Sequence, residues 1–289
     1  MISAANPCHL TPLAGVRVVS IALNLPGPAC ARRLADFGAT VVKIEPPGAL
    51  GGDPMQTYAP RCHEELHRGI DVRKLNLKNP GERATFDELL AHAEILITAQ
   101  REAALARLQL SEEALSMRFP NLCRIAIIGK KHSAAAGHDL TYLTDAGLAV
   151  PPHLPPTLFV DLAGAERAVT ATFAALRLMQ LSGRGSHCVV SLSDAAYALA
   201  GPKRHGLTNV GGLLAGEHPG YNFYRARNGW IALAALEPRF IERLLDASAT
   251  EFTIEALKKY FATNTIADWQ QWAITHDIPL ATIADVATS

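Results

Sequence analysis

The stretch from Thr11 to Glu45 constrains the fold more than any other part of the chain. Val18 to Ala22 is a short, mostly apolar run, the pattern of a strand covered on both faces. Pro26-Gly27-Pro28 breaks it, Ala29 to Phe37 supplies helix formers, and Gly38 stops the helix. Val41 to Ile44 is a second run of the buried-strand kind. Strand, helix and strand at this spacing form a βαβ unit, which requires a parallel sheet. The unit has no Gly-x-Gly-x-x-Gly, so NAD is not expected, and room is left for another nucleotide-bearing ligand.

The alternation continues downstream. Gly48 to Val72 is polar and reads as irregular. Asn79-Pro80-Gly81-Glu82 is a strong helix start, with Asn as N-cap, Pro at the first helical position and Glu at the third. That helix is expected to reach about His92 and hand over to a strand at Ile95 to Thr98. A helix over Ser111 to Arg118 then leads through Pro120 to a strand at Leu122 to Ile128. Gly164 to Met179 predicts a long helix with Ala165, Val169, Phe173 and Leu176 on one face, and Cys188 to Leu192 another strand.

Such a pattern defines an α/β fold with a Rossmann-like, mostly parallel sheet in a large domain over 1–200. Residues 201–220 turn to Gly, Pro and His and read as a linker or mobile loop. A smaller α+β domain follows over 221–289. Its expected strands are Asn222 to Arg225 and Trp230 to Ala235 around Arg227-Asn228-Gly229, with helices near Arg239 to Asp246 and Ile266 to Ile274.

Bulk properties exclude several classes. The 27 Lys and Arg balance 27 Asp and Glu, with no charge block, so neither nucleic acid nor an anionic membrane has electrostatic support as a partner. No apolar run approaches the ~20 residues of a membrane span. The N-terminus lacks a basic region followed by an apolar core, so no secretory signal is expected. Cys8, Cys30, Cys62, Cys123 and Cys188 are scattered without metal-type spacing, as reduced thiols of a cytoplasmic protein would be.

An ordered series of motifs resembles the family III CoA-transferases, a superfamily that includes the α-methylacyl-CoA racemases. The opening unit with Pro46-Pro47-Gly48 and Gly52-Asp53-Pro54 is similar to that family's start. Leu66-His67-Arg68-Gly69 and Leu75-Asn76-Leu77-Lys78 frame a segment like its Arg-Gly-Lys-Arg region. Ala93 to Leu110 resembles its strand, Arg-containing turn and helix, and Gly137-His138-Asp139-Leu140-Thr141-Tyr142 its Gly-His-Asp-x-x-Tyr motif. Asp161-Leu162-Ala163-Gly164 stands where the family places an Asp before a long helix. Glu237-Pro238-Arg239-Phe240 resembles the entry to its small domain, and Thr265 to Leu280 that domain's closing segment.

The resemblance implies a CoA-transferase family III fold, a coenzyme A thioester as substrate, no metal, no redox cofactor and a homodimer. Family members normally continue beyond the position of Ser289 with a segment that returns to the large domain; a separate chain supplying it is one expectation here.

The same resemblance makes Asp161, His138 and Glu237 the candidate catalytic residues. In the transferases this Asp attacks an acyl-CoA and carries covalent intermediates; in the racemases it belongs to the proton-transfer machinery. Read alone, Asp161 is an ordinary helix N-cap, held as the anion by free N–H groups and the helix dipole. His138 and Glu237 resemble the racemase branch, whose reaction needs a base and an acid on opposite faces of one carbon. Read alone, they are a loop histidine and a strand-to-helix junction residue. Arg101 and Lys43 are candidates for CoA phosphates.

The expected reaction is racemase-type α-proton transfer on a 2-substituted acyl-CoA. The alternative is CoA transfer from an acyl-CoA to a free carboxylate through an aspartyl intermediate. Two departures fit a third reading, a catalytically degenerate binding or partner subunit. Arg101-Glu102-Ala103 replaces the usual Arg-Pro-Gly, and Ile70-Asp71 replaces the basic pair after Arg68-Gly69, with Arg73 and Lys74 displaced along the chain.

His63-Glu64-Glu65-Leu66-His67 also satisfies the His-Glu-x-x-His zinc pattern. Pro60 and Gly69 leave room for about two helical turns. Ile70 replaces the glycine of the extended form, and neither Glu82 nor Glu88 is singled out as a third ligand. The match reads as coincidence, and no metal is expected.

Overall fold

The apolar runs of the first unit become neighbouring strands in the computed structural model, which describes residues 11–48, 51–133 and 135–285. The chain divides into two compact units, one ending at Ala200 and the other starting at Gly201. The first begins β1 (Arg17–Ser20), α1 (Pro26–Asp36), β2 (Thr40–Glu45), α2 (Met55–Tyr58), α3 (Pro60–Leu66) and β3 (Asp71–Lys74). It continues α4 (Pro80–Ala91), β4 (Ile95–Thr98), α5 (Glu102–Arg107), α6 (Glu112–Arg118) and β5 (Cys123–Ile128). It closes with α7 (Asp139–Asp145), α8 (Phe159–Ser182), β6 (His187–Ser191) and α9 (Leu192–Leu199).

The six strands lie in the order β3-β2-β1-β4-β5-β6, and every pair is parallel. Alternation along each strand assigns its side chains to one face or the other. Val18, Ile95, Ile97 and Ile125 join the core under α1 and α8, whereas Val19, Ile44 and Leu96 pack with Phe86, Leu90, Leu105 and Leu115 of α4, α5 and α6. Between β1 and β4 the winding direction reverses. Crevices at the carboxyl ends of strands at such a reversal are where open parallel sheets bind ligands.

Asn79 caps α4 as its sequence predicts, its Oδ1 accepting from Gly81 N–H at 2.9 Å and Glu82 N–H at 3.2 Å. Three expectations need correction. The helix expected from Ala29 starts at Pro26, and Pro26-Gly27-Pro28 forms the first turn of α1, where a proline's missing N–H costs no intrahelical bond. The stretch read as irregular holds α2, α3 and β3, elements too short for a periodic signal. Helix α8 begins at Phe159 rather than Gly164. A carboxylate from a distant segment causes this: Asp139 Oδ1 accepts from Val160 N–H at 2.6 Å and Asp161 N–H at 3.0 Å.

In the second unit a short helix, α10 (Gly201–Arg204), precedes a run of turns. Strands β7 (Tyr221–Ala226), β8 (Gly229–Ala234) and β9 (Leu280–Ala284) form an antiparallel sheet in that order. Helices α11 (Pro238–Ser248), α12 (Ile254–Phe261) and α13 (Ile266–His276) contribute Leu244, Leu257, Phe261 and Trp269 to a core shared with Tyr224, Ile231 and Leu233. The buried Trp269 indole N–H donates to Phe261 O at 2.9 Å, so its polar edge is satisfied.

Candidate active site

Asp161 is the third residue of α8, partly buried, in the turn where a helix presents unpaired N–H groups. A carboxylate there would ordinarily draw stabilisation from the helix dipole. Asp139 already occupies that place. It is 3% exposed, and its Oδ1 takes the N–H groups of Val160 and Asp161. Asp161 therefore sits beside a buried anion with little water around it. Burial first, and the Asp139 charge second, push its carboxyl up from 3.8 to about 7.

Asp139 is also the first residue of α7, so its carboxylate ties the starts of α7 and α8 together and sets His138 beside this junction. The His138 backbone is fixed from both sides. Its N–H donates to Thr141 Oγ1 at 3.0 Å, and its carbonyl accepts from the Thr141 hydroxyl at 2.8 Å. The imidazole itself belongs to an exposed residue. Tyr142, one turn on, is 6% exposed. Burial, then the charges of Asp161 and Asp145, raise its phenol pKa. The Tyr142 hydroxyl fills space that side chains would need: a Cβ on Gly129 or Gly137 would lie 2.1 or 2.6 Å from it. Tyr58 also feels the Asp161 charge and donates to Asn24 Oδ1 at 3.3 Å.

Cavities flank the first turn of α8. One of about 370 Å³ is lined by Phe159 with Leu143, Leu148, Leu154 and Leu199. Another of about 700 Å³ lies along Leu158 and Leu162, with Leu25, Arg32 and Cys62 opposite. A third, about 270 Å³, lies at the reversal of strand order, between Ile21 and Leu23 after β1, Glu45 and Pro46 at the end of β2, and Gln100 after β4.

The remaining candidates are placed differently. Arg101 is exposed just past the carboxyl end of β4, at the start of α5. Lys43, expected at a CoA phosphate, is instead committed to the interior: its Nζ lies 3.0 Å from Asp53 Oδ2, and both side chains are fully buried. Glu237 is the exposed residue preceding α11 in the second unit, its carbonyl accepting from Phe240 and Ile241 N–H groups. The two departures in sequence have structural roles. Glu102 holds the guanidinium of buried Arg124 at 2.6 and 3.1 Å, and Asp71 starts β3 with its carboxylate on Arg73.

The sequence did not single out Asp139, although it directly follows His138. Nothing local shows that its carboxylate reaches a helix 22 positions away.

Fold and site together define a doubly wound α/β protein with a proton-holding carboxyl at a helix start and cavities on either side of it. Residues 13–289 match CoA-transferase family III, and the chain belongs to that family. Human alpha-methylacyl-CoA racemase is 29% identical over 297 aligned positions, spanning 90% of this chain and 74% of the racemase. Acetyl-CoA:oxalate CoA-transferase of Acetobacter aceti is 25% identical, spanning 96% of this chain and 82% of the transferase. A crystal structure of a hypothetical protein from Mycobacterium tuberculosis shares the fold with a TM-score of 0.80 at 22% identity, covering 96% of this chain and 85% of that one. A CAIB/BAIF family protein from Brucella suis does so with a TM-score of 0.77 at 21% identity, with the same two coverages.

Proposed function

We propose that the chain is an acyl-CoA enzyme that moves the α-proton of a 2-substituted acyl-CoA, with Asp161 and His138 as its acid–base groups. One observation carries this reading: the Asp161 carboxyl is held near pH 7. A group that both takes and returns a proton works best when its pKa lies close to the working pH. One of the two residues removes the α-proton, the electron pair moves into the thioester carbonyl as an enolate, and a proton returns to the opposite face from the other. The apolar cavity at Phe159 suits the acyl group. The cavity at the strand reversal, with Arg101 at the end of the neighbouring strand, suits the nucleotide end of CoA. A homodimer in the cytoplasm, without metal or redox cofactor in the reaction, completes the reading.

CoA transfer is the second reading, favoured by the similarity to the Acetobacter aceti transferase. It needs Asp161 as an anion that attacks the thioester carbonyl and expels the CoA thiolate, a task for which a carboxyl protonated to about pH 7 is less suited. Mass spectrometry of 2-methylacyl-CoA incubated in heavy water separates the two. Uptake of one deuteron with wild type, lost in Asp161→Ala and His138→Ala, is the expected result. Absence of uptake, with acyl exchange once free carboxylates are added, overturns it in favour of transfer. Glu237→Ala, assayed alongside, tests that residue separately.

A further inference from the structure

The geometry points to a second site in the first unit, in which Glu45, His63 and His67 bind one divalent transition-metal ion. His63 lies on α3 and His67 directly follows it, four residues on, so their rings project from one side with centroids 4.1 Å apart. They meet two carboxylates from elsewhere in the chain: Glu45 at the end of β2 and Asp53 just before α2. One ligand atom from each of the four lies within 4.8 Å of all the others. Glu45 is 0%, Asp53 2% and His67 8% exposed.

The state of His67 argues for a ligand. Its Nδ1 lies 2.7 Å from the His63 carbonyl oxygen, so Nδ1 carries the proton and donates it. The other ring nitrogen, Nε2, is buried and has no hydrogen-bond partner among the described residues. An imidazole anchored through one N–H to a carbonyl, with its second nitrogen bare, is prepared as a metal ligand. His63 Nε2 and Glu45 Oε1 stand 3.2 Å apart. Two ligands at tetrahedral angles on ~2.0–2.1 Å bonds to zinc are separated by roughly 3.3 Å.

Charge points the same way. Lys43 and Asp53 neutralise each other, and the buried Glu45 carboxylate leaves one negative charge over. Asp53 stands behind the ligands rather than among them, because its oxygens already accept from Lys43 Nζ, Asn24 N–H and Met55 N–H. On binding, His63 takes the tautomer protonated at Nδ1, so that both Nε2 lone pairs pass to the metal. Two imidazoles and a carboxylate suit Zn²⁺, with water in the fourth position. The sequence expectation of coincidence lacked a third ligand. It comes from β2, 18 residues before His63.

The test uses the full chain, freed of metal by chelation and titrated with Zn²⁺ by calorimetry. One equivalent should bind, and His63→Ala and His67→Ala should each weaken it by about 100-fold. His153→Ala, far from the cluster in sequence and outside it, should bind as wild type does. X-ray absorption of the zinc-loaded wild type should show two imidazole ligands, a readout that does not depend on the variants folding. No saturable binding at millimolar Zn²⁺, binding that both histidine variants retain, or a spectrum without imidazole scattering would overturn the site. The 3.2 Å contact would then be a plain histidine–carboxylate pair.

Discussion

Replacing Asp161 with Asn removes a carboxyl that the fold keeps protonated far above its ordinary range. In the unfolded chain this group ionises near 3.8, and in the folded chain near 7. Between those values the unfolded state gives up its proton while the folded state retains it, so rising pH favours unfolding. The wild type therefore loses stability from this residue between about pH 4 and pH 7, and the loss is constant above that. The interval from 3.8 to about 7, at ~1.4 kcal/mol per pH unit, corresponds to roughly 4 kcal/mol. Solvent screening at this partly exposed position reduces the expected difference to about 2–4 kcal/mol. Asn does not titrate. Urea unfolding of wild type and Asp161→Asn at about pH 4.5, 6 and 8 should show the variant gaining on the wild type up to neutrality and then holding its lead. Taking the change with pH, rather than the difference at one pH, removes any packing effect of the substitution. A gap that is the same at all three values, or that widens toward acid, would refute the reasoning.

Asp139→Asn keeps an oxygen for the α8 N–H groups but deletes the like charge, so the pH midpoint of deuterium uptake should move down. Asp139→Ala should do the same and also cost about 1–2 kcal/mol of stability for the lost cap, read from urea unfolding. Gly27→Ala would place a Cβ 2.3 Å from that of Ala22, and thermal denaturation should show a loss of about 1–3 kcal/mol. Asn79→Ala removes both bonds to the start of α4 and should cost about 1 kcal/mol by the same measurement.

Much of the first unit was legible because buried parallel strands announce themselves. Ile95 to Thr98 is apolar but for its last residue, and the strand buries all four positions. Asn79 was legible because capping is local chemistry. Elements decided by tertiary contact were not. Of the five extra residues at the head of α8, Val160 and Asp161 are held by Asp139, and α3 has too few residues for a periodic signal. Lys43 illustrates a signal that was present and misread. A lysine inside a Val-Val-Lys-Ile-Glu strand is flanked by residues that must be buried, and a buried ammonium requires a nearby carboxylate. Gly52-Asp53-Pro54 supplies it through Asp53. The pairing of Asp161 with Asp139 carried no such mark, since only the fold brings the two helix starts together.

Helix α1 opens with Pro26 and Pro28 after a strand whose neighbours follow the order seen in dinucleotide-binding proteins. In those proteins the first helix offers its opening N–H groups to a pyrophosphate. Proline has no N–H, so of the first three residues here only Gly27 can donate, and a Cβ on it would lie 2.3 Å from that of Ala22. The fold has kept the topology and silenced the backbone that usually seats the phosphates. At this helix a phosphate-bearing ligand would depend on cationic side chains from other segments instead. Recognition of that kind is screened by salt, with a reach of about 8 Å at physiological ionic strength. Affinity for such a ligand should fall as ionic strength rises, more steeply than when a helix start does the holding.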